Sequence, residues 1–305
     1  MIRAAIALGS NSTRMLCAGL EPEGVVPLGR GRVETRLFMG LDSGGNLTVE
    51  AMARAAQAVD LLRQQALDLG CPPDQMDLYA TSAVRDAANR DALAGLLLQK
   101  SGLEMLILSG EKEAELSFRA VSAGKRVLVL DIGGGSTELT YGENDTILAS
   151  VSLQMGASRC LKEHPIATAE DARALTALLE ERMALEARAV AECRDSHGGS
   201  PLTAIGGTCT ACQDMLLFNL RAFPDGSSLT YANTAFLRDL LAPMPVEERQ
   251  RFRGLPPQRA MHIVHGLCIL SAALAVFTPE KTEVSSLNNL DGWMDEIASQ
   301  TFSHT

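Results

Sequence analysis

Apolar and polar positions follow two periods along the chain, and the switches between them mark the elements. Residues 3–20 carry extended apolar runs interrupted by Gly9-Ser10-Asn11-Ser12, the pattern of two strands joined at a tight tip. Residues 24–33 read as a further strand. From Thr48 to Leu69, Ala, Leu, Val and Met recur at helical spacing; Thr48 can cap the start, and Gly70 and Pro72 stop the helix. A short strand over Met76–Thr81, a helix to about Lys100 and a strand over Glu104–Leu108 follow. Ser109-Gly110-Glu111 then opens a helix running to about Ser122. Gly124–Arg126 reads as a joint, after which the plan starts again. Strands are expected at Val127–Asp131, from Leu139, at Thr146–Leu153 and at Leu202–Ile205, with a long helix over Thr168–Cys193. The remainder is mainly helical, Arg259–Phe277 being the most apolar helix. Strands alternating with helices make the fold α/β.

The second start carries the clearest chemistry. Val127–Asp131 is an apolar strand ending in an acid, followed by Ile132, Gly133, Gly134, Gly135, Ser136, Thr137 and Glu138. Three glycines without Cβ let backbone N–H groups come close to an anion, and Ser136 and Thr137 add hydroxyls. Asp131 at the strand end can hold a divalent cation through its oxygens. Ala7-Leu8-Gly9-Ser10-Asn11-Ser12-Thr13-Arg14-Met15 aligns without a gap on Asp131–Leu139, so the hairpin occurs twice. Two related halves facing each other across a cleft, with phosphate groups held between the tips, are the expectation. One position differs: the acid of the second copy, Asp131, is Ala7 in the first.

Further candidates sit at strand ends. Arg85 stands at the strand-to-helix switch Thr81-Ser82-Ala83-Val84-Arg85, where a helix start and a guanidinium suit phosphate oxygens; a salt bridge to Asp86 or Asp91 is the plainer use. Glu111, Glu113 and Glu115 open a helix just after a strand, where a general base would sit, and spacing does not choose among them. Arg159 follows Met155-Gly156, and Gly206-Gly207-Thr208 is a third glycine turn entering a helix. Arg30, Arg32 and Arg36 form a basic concentration suited either to solvent or to a polyanion. Cys209 and Cys212 have C-x-x-C spacing without a second pair, and His262 and His265 share a helix face; both pairs are expected to be structural.

Composition narrows the partners. The 305 residues can fill two domains, 1–124 and 125–305, the last helix of which can pack back on the first domain. With 37 acids against 27 Lys and Arg the net charge is −10, which argues against broad nucleic-acid or membrane-surface binding but leaves an anionic small-molecule ligand open. Seven cysteines scattered through the chain read as reduced thiols, and the chain starts directly with a strand; both suit a cytoplasmic protein.

These motifs, in this order and spacing, resemble the exopolyphosphatase/guanosine pentaphosphate phosphohydrolase family of the actin and sugar kinase superfamily. The resemblance runs over nearly the whole chain, through Leu8–Ser12, Ala80–Arg85, Ser109–Ala114, Asp131–Glu138, Met155–Arg159 and Gly206–Thr208. It implies two ribonuclease-H-like (actin-like ATPase) domains with a cleft between them, in the short two-domain form. It also implies hydrolysis of a terminal phosphate from inorganic polyphosphate or guanosine pentaphosphate, with Mg²⁺ or Mn²⁺. On that basis Glu113 is the catalytic carboxylate, and Asp131 and Glu138 are the metal ligands. Ser10, Asn11, Ser12, Arg85, Gly133, Gly134, Gly135, Ser136, Thr137, Arg159, Gly206, Gly207 and Thr208 are then the phosphate contacts. A homodimer is compatible with the resemblance, and guanosine tetraphosphate is a further candidate ligand. The chain departs from the family pattern at four places: Ala7 for the first-hairpin acid, Lys112 for the first acid of the Ser-Gly-x-Glu-Glu-Ala-like motif, and Ser286 and Leu290 for an acid and an arginine near the C-terminus. Ala7, Ser286 and Leu290 motivate a second reading, a catalytically weak sensor of polyphosphate or guanosine alarmones. ATP-dependent phosphotransfer, as in sugar and acetate kinases, is a third.

Overall fold

The opening alternation builds an antiparallel meander: β1 (Ile2–Leu8), β2 (Ser12–Glu21) and β3 (Gly24–Glu34). The structure, a computed structural model, describes residues 1–219, 226 and 228–302. Strands β4 (Met76–Ala80) and β5 (Met105–Ile107) add in parallel on the other side of β1, giving the order β3-β2-β1-β4-β5. Parallel neighbours need crossovers, and these are helical. Helix α1 (Val49–Asp68) joins β3 to β4, while α2 (Ser82–Arg85) and α3 (Arg90–Ser101) join β4 to β5; α4 (Gly110–Ser122) leaves β5.

The plan then repeats. Strands β6 (Val127–Ile132), β7 (Thr137–Glu143) and β8 (Thr146–Leu153) form a second antiparallel meander. Helices α5 (Ala157–Glu163), α6 (Ala169–Glu186) and α7 (Arg188–Ser196) lead to β9 (Leu202–Ile205), parallel to β6. Helices α8 (Gly207–Phe218), α9 (Tyr231–Leu241), α10 (Val246–Arg249) and α11 (Ile263–Phe277) lead to β10 (Thr282–Val284), parallel to β9. Helix α12 (Asn289–Phe302) ends the described chain. The second sheet, β8-β7-β6-β9-β10, thus has the order and pairing senses of the first, the ribonuclease-H-like arrangement used twice. Two compact units result: Met1–Ala120 with Asn289–Thr305, and Val121–Asn288.

In the first unit β1 is buried on both faces, which is why its sequence is a continuous apolar run. Ala4, Ile6 and Leu8 share a core with Ala55, Val59 and Leu62 of α1 and Leu93 and Leu97 of α3. Ala5 and Ala7 face the other way, into a cluster with Leu16, Tyr79, Leu116 of α4, and Leu290, Met294 and Ala298 of α12. In the second unit α11 is buried nearly all round, which matches its apolar sequence, and packs on α6, α9, α5 and α8. No helix among the described residues is long and apolar enough to cross a membrane.

Local signals hold where caps specify them. Thr48 Oγ1 accepts from Ala51 N–H at 3.2 Å, and Thr168 with Asp171 makes a reciprocal capping box. Two expectations change. The long helix from Thr168 is two helices, broken at Ala187 (φ −99°, ψ 13°), because its buried methyl joins the core and α7 turns onto β7 and β8. The apolar helix expected from Arg259 begins at Ile263, since Pro256 and Pro257 cast Pro257–Arg259 as a 3₁₀ turn.

The pairs expected to be structural are buried. Burial pushes the Cys212 thiol up to about 12 and the Cys209 thiol well above its ordinary value, so neither supplies a thiolate near neutrality. Burial also lowers His265 to about 4, outweighing the upward pull of the His164 carbonyl that accepts from its Nε2–H at 2.8 Å. A second proton on Nδ1 would meet no hydrogen-bond partner. Because the unfolded chain takes up that proton near pH 6.5, stability is full above that pH and declines as pH falls towards 4, by about 3 kcal/mol in total. Denaturant unfolding between pH 6.5 and 5 should show this slope, and His265→Leu should flatten it; an unchanged slope in the variant would rule out His265 as its source.

Candidate functional site

The two hairpin tips are built alike. Gly9 N–H donates to the Ser12 carbonyl at 3.1 Å, and Gly133 N–H donates to the Ser136 carbonyl at 3.0 Å. In both turns a Cβ on the glycine would stand 2.9 Å from that carbonyl, too close for any side chain. The ungapped alignment of the two stretches is therefore a shared turn geometry.

In the first unit the tip is tied down by its own backbone. The Asn11 carbonyl accepts from Thr35 and Arg36 N–H, and the Ser10 carbonyl accepts from Phe38 N–H. Ser10 Oγ accepts from Ala83 N–H at 3.2 Å, joining the tip to the first turn of α2. Asn11 Nδ2 donates to Glu34 at 2.8 Å, so the amide is oriented by a carboxylate. Ser12 begins β2, opposite Glu34 of β3. The remaining candidates of this unit meet each other. Arg85 donates to the Leu108 carbonyl at 2.8 Å and pairs with Glu113 at 3.3 Å, with side chains 19% and 10% exposed. It thus has Glu113 as a carboxylate partner. Burial also separates the three acids that spacing left open. Glu111 is exposed, Glu115 is half-buried and paired with Lys112, and Glu113 is buried beside a guanidinium. Ser109 Oγ accepts from Lys112 N–H and so fixes the first turn of α4, which carries Glu113.

In the second unit the glycine tip is seated on the start of α5. Gly133 O accepts from Ala157 N–H, and Gly134 O accepts from Ser158 and Arg159 N–H. The Arg159 Nε–H donates to Gly135 O at 2.7 Å, and its Nη2 donates to Gln154 at 2.8 Å. The carbonyls of all three glycines are thus turned towards α5, while the Gly133 N–H closes the turn on Ser136. Thr137 Oγ1 donates to the Met155 carbonyl at 2.5 Å, so that hydroxyl proton serves as a tie; Ser136 is buried beside it. Gly156 is required here, since a Cβ would overlap the Gly134 and Gly135 backbone. Asp131 and Glu138 are direct cross-strand partners, which puts both carboxylates on one face of the hairpin. Ser152 Oγ donates to one oxygen of the buried Glu138 at 2.8 Å.

The third glycine turn joins the same edge. Gly206 (φ 90°) caps α8, and a Cβ there would meet the Ile132 carbonyl and Asp131 Oδ1 at 2.8 and 3.0 Å. Thr208 is buried against Gly266 of α11. Over Gly207 lies the Arg259 guanidinium, in a space a Cβ would fill. Sequence reading missed this residue, having placed it on the apolar helix; Pro256-Pro257 just before it was the signal available.

The donor set suits a hard divalent cation. Asp131 and Glu138 offer carboxylate oxygens from one face, and among the described residues no group of three His, Cys, Asp or Glu forms a protein cage. Mg²⁺ is characteristically held by one or two carboxylates together with substrate phosphates, which fits this pair.

The family model of the Ppx/GppA phosphatase family matches residues 19–300. The chain belongs to the Ppx/GppA phosphatase family. Exopolyphosphatase 1 of Mycobacterium tuberculosis is 29% identical over 288 residues, covering 91% of this chain and 82% of that protein; that of Mycobacterium bovis matches equally. Among solved structures, an exopolyphosphatase from Cytophaga hutchinsonii superposes with a TM-score of 0.85 at 21% identity, over 98% of each chain. The Aquifex aeolicus member of the Ppx/GppA family superposes with a TM-score of 0.76 at 21% identity, over 100% of this chain and 99% of that one. These likenesses carry the fold: two ribonuclease-H-like sheets of the actin-like ATPase type. Against the family pattern, Ala7 and Leu290 lie in one apolar cluster, 1% exposed each. Two of the positions that depart from the resembled pattern are thus filled by packing residues of one cluster.

Proposed function

We propose that this Ppx/GppA family member is a metal-dependent phosphohydrolase that releases terminal phosphate from inorganic polyphosphate, with guanosine pentaphosphate as a second substrate. The observation that carries the reading is Glu113: one buried carboxylate in the first turn of α4, held by Arg85, among three acids of which the others are exposed or paired elsewhere. The exopolyphosphatase names of the relatives support polyphosphate as the substrate class.

Phosphoryl transfer asks for positioning and charge neutralisation more than for covalent chemistry. Backbone N–H groups of Gly134 and Gly135 and of the Gly206–Gly207 turn would bind successive phosphate oxygens, with Gly133 closing the turn on the Ser136 carbonyl and Arg159 alongside. Ser10, Asn11 and Ser12 would do the same from the first hairpin. Glu113 would take a proton from the attacking water as its oxygen bonds to the terminal phosphorus. The bridging P–O bond then breaks, and the shortened chain leaves with its electron pair. Asp131 and Glu138 would hold Mg²⁺ or Mn²⁺, which neutralises phosphate charge when bound.

Phosphate release from long-chain polyphosphate and from guanosine pentaphosphate, each with Mg²⁺, Mn²⁺ or a chelator, tests the reading. Release with metal and none with chelator is expected; equal release under chelation would remove Asp131 and Glu138 from their role. Gly156→Ala, which drives a Cβ into the Gly134–Gly135 backbone, should displace the tip by about an ångström and lower kcat/KM about 10²-fold. Near-normal kcat/KM in a folded Gly156→Ala protein would show that the tip does not contact substrate.

The uncharged residues Ala7, Ser286 and Leu290, of which Ala7 and Leu290 are buried in one apolar cluster, favour the second reading, a polyphosphate or alarmone sensor that binds without efficient turnover. Binding under every metal condition without phosphate release would select it.

A further inference from the structure

Helix α4 carries Glu113 on one side and is gripped by α12 on another. Lys112, Leu116 and Arg119 stand four and three residues apart, on one helical face. Lys112 Nζ donates to Glu296 at 2.6 Å, and Arg119 donates to Asp295 at 3.1 Å and Ser299 at 3.3 Å. Between these two links Gly292 of α12 lies directly on the Leu116 carbonyl, so close that a Cβ would overlap it. Leu116, Leu290 and Met294 close the apolar side of the same crossing. The crossing brackets Glu113 tightly, since Lys112 precedes it and Leu116 lies three residues after it, within one turn.

We propose that α12 is the positioning element for Glu113, with Gly292 setting the closeness of the α4–α12 crossing and the Lys112–Glu296 pair setting the rotation of α4. The proposal rests on the reading of Glu113 as the general base. Lys112 is the residue that departs from the resembled acidic motif, and the structure gives that departure a partner on α12. Arg85 orients the carboxylate from one side, at 3.3 Å, while α12 fixes the backbone that carries it. A helix shifted or rotated by an ångström would keep the fold and the phosphate contacts, yet move the carboxylate off the attacking water.

Steady-state kinetics of the full chain on long-chain polyphosphate with Mg²⁺ test this, alongside Glu113→Gln as reference. Gly292→Ala should lower kcat by about 10²-fold with KM little changed, since Gly292 contacts no phosphate. Glu296→Lys, which sets two ammonium groups against each other, should lower kcat about tenfold, and Lys112→Glu with Glu296→Lys should restore most of it. The swap settles the matter even if Gly292→Ala fails to fold. A kcat per folded molecule within about twofold of the parent in Glu296→Lys, with Glu113→Gln inactive, would overturn the positioning role and leave the base assignment standing. Turnover retained in Glu113→Gln would overturn both.

Discussion

Glu113→Gln is expected to lower kcat on polyphosphate by about 10²–10⁴-fold, the range associated with a positioned general base. Binding of the polyphosphate chain should change little, because the glutamine keeps the shape of the side chain and carries no phosphate contact. The Arg85 guanidinium retains the Leu108 carbonyl at 2.8 Å, and the fold should lose about 1–3 kcal/mol, the range for a hydrogen bond between charged groups. Kinetics and polyphosphate-binding titration on the same preparation check both halves. Turnover within a few-fold of the parent would remove Glu113 from catalysis; lost binding with unchanged kcat would make it a ligand residue. Substituting the exposed Glu111 should have no comparable effect, which separates burial from mere sequence proximity.

The second large effect is on stability. Ala7→Asp, which restores the acid of the family pattern, should destabilise the first unit by several kcal/mol rather than improve the enzyme. Ala7 is 1% exposed in a cluster with Ala5, Leu16, Leu116, Leu290 and Met294, where a carboxylate loses its hydration, and the guanidinium of its cross-strand partner Arg14 is already engaged with Asn289 at 3.2 Å. Adding Leu290→Arg supplies a guanidinium from the same cluster, so the double variant should recover part of the loss relative to the sum of the single ones, a coupling visible in a double-mutant cycle. Denaturant unfolding of the four proteins measures it. A stable Ala7→Asp protein with raised activity would mean that the site tolerates the family acid and that the apolar pair is not a packing replacement.

Elements flagged by local chemistry were the legible ones. Thr48 and Thr168 announced their helices because a cap acts over three residues, and both hairpin tips were readable because a glycine turn is a local backbone requirement. The repeat itself was legible, since Gly9–Ser12 and Gly133–Ser136 close the same turn. What escaped depends on residues distant in sequence. The break at Ala187 follows from a methyl seeking the core, against the helical preference on either side. Spacing left Glu111, Glu113 and Glu115 open and only the family resemblance singled out Glu113; its burial is tertiary, and its partner Arg85 lies 28 residues away. Arg259 was hidden by the apolar run that follows it, and its place over Gly207 is set by a turn that only the two prolines hinted at. The grip of α12 on Lys112 spans 184 residues, beyond any periodic pattern.

The most direct test of the account is the product distribution from long-chain polyphosphate at low conversion, resolved by gel and by ³¹P NMR, with Mg²⁺ and without any nucleotide. Hydrolysis at the chain end predicts orthophosphate and chains shortened only slightly, with both absent for Glu113→Gln. Mid-length fragments, a requirement for a nucleotide acceptor, or bound chains that yield no orthophosphate would contradict it.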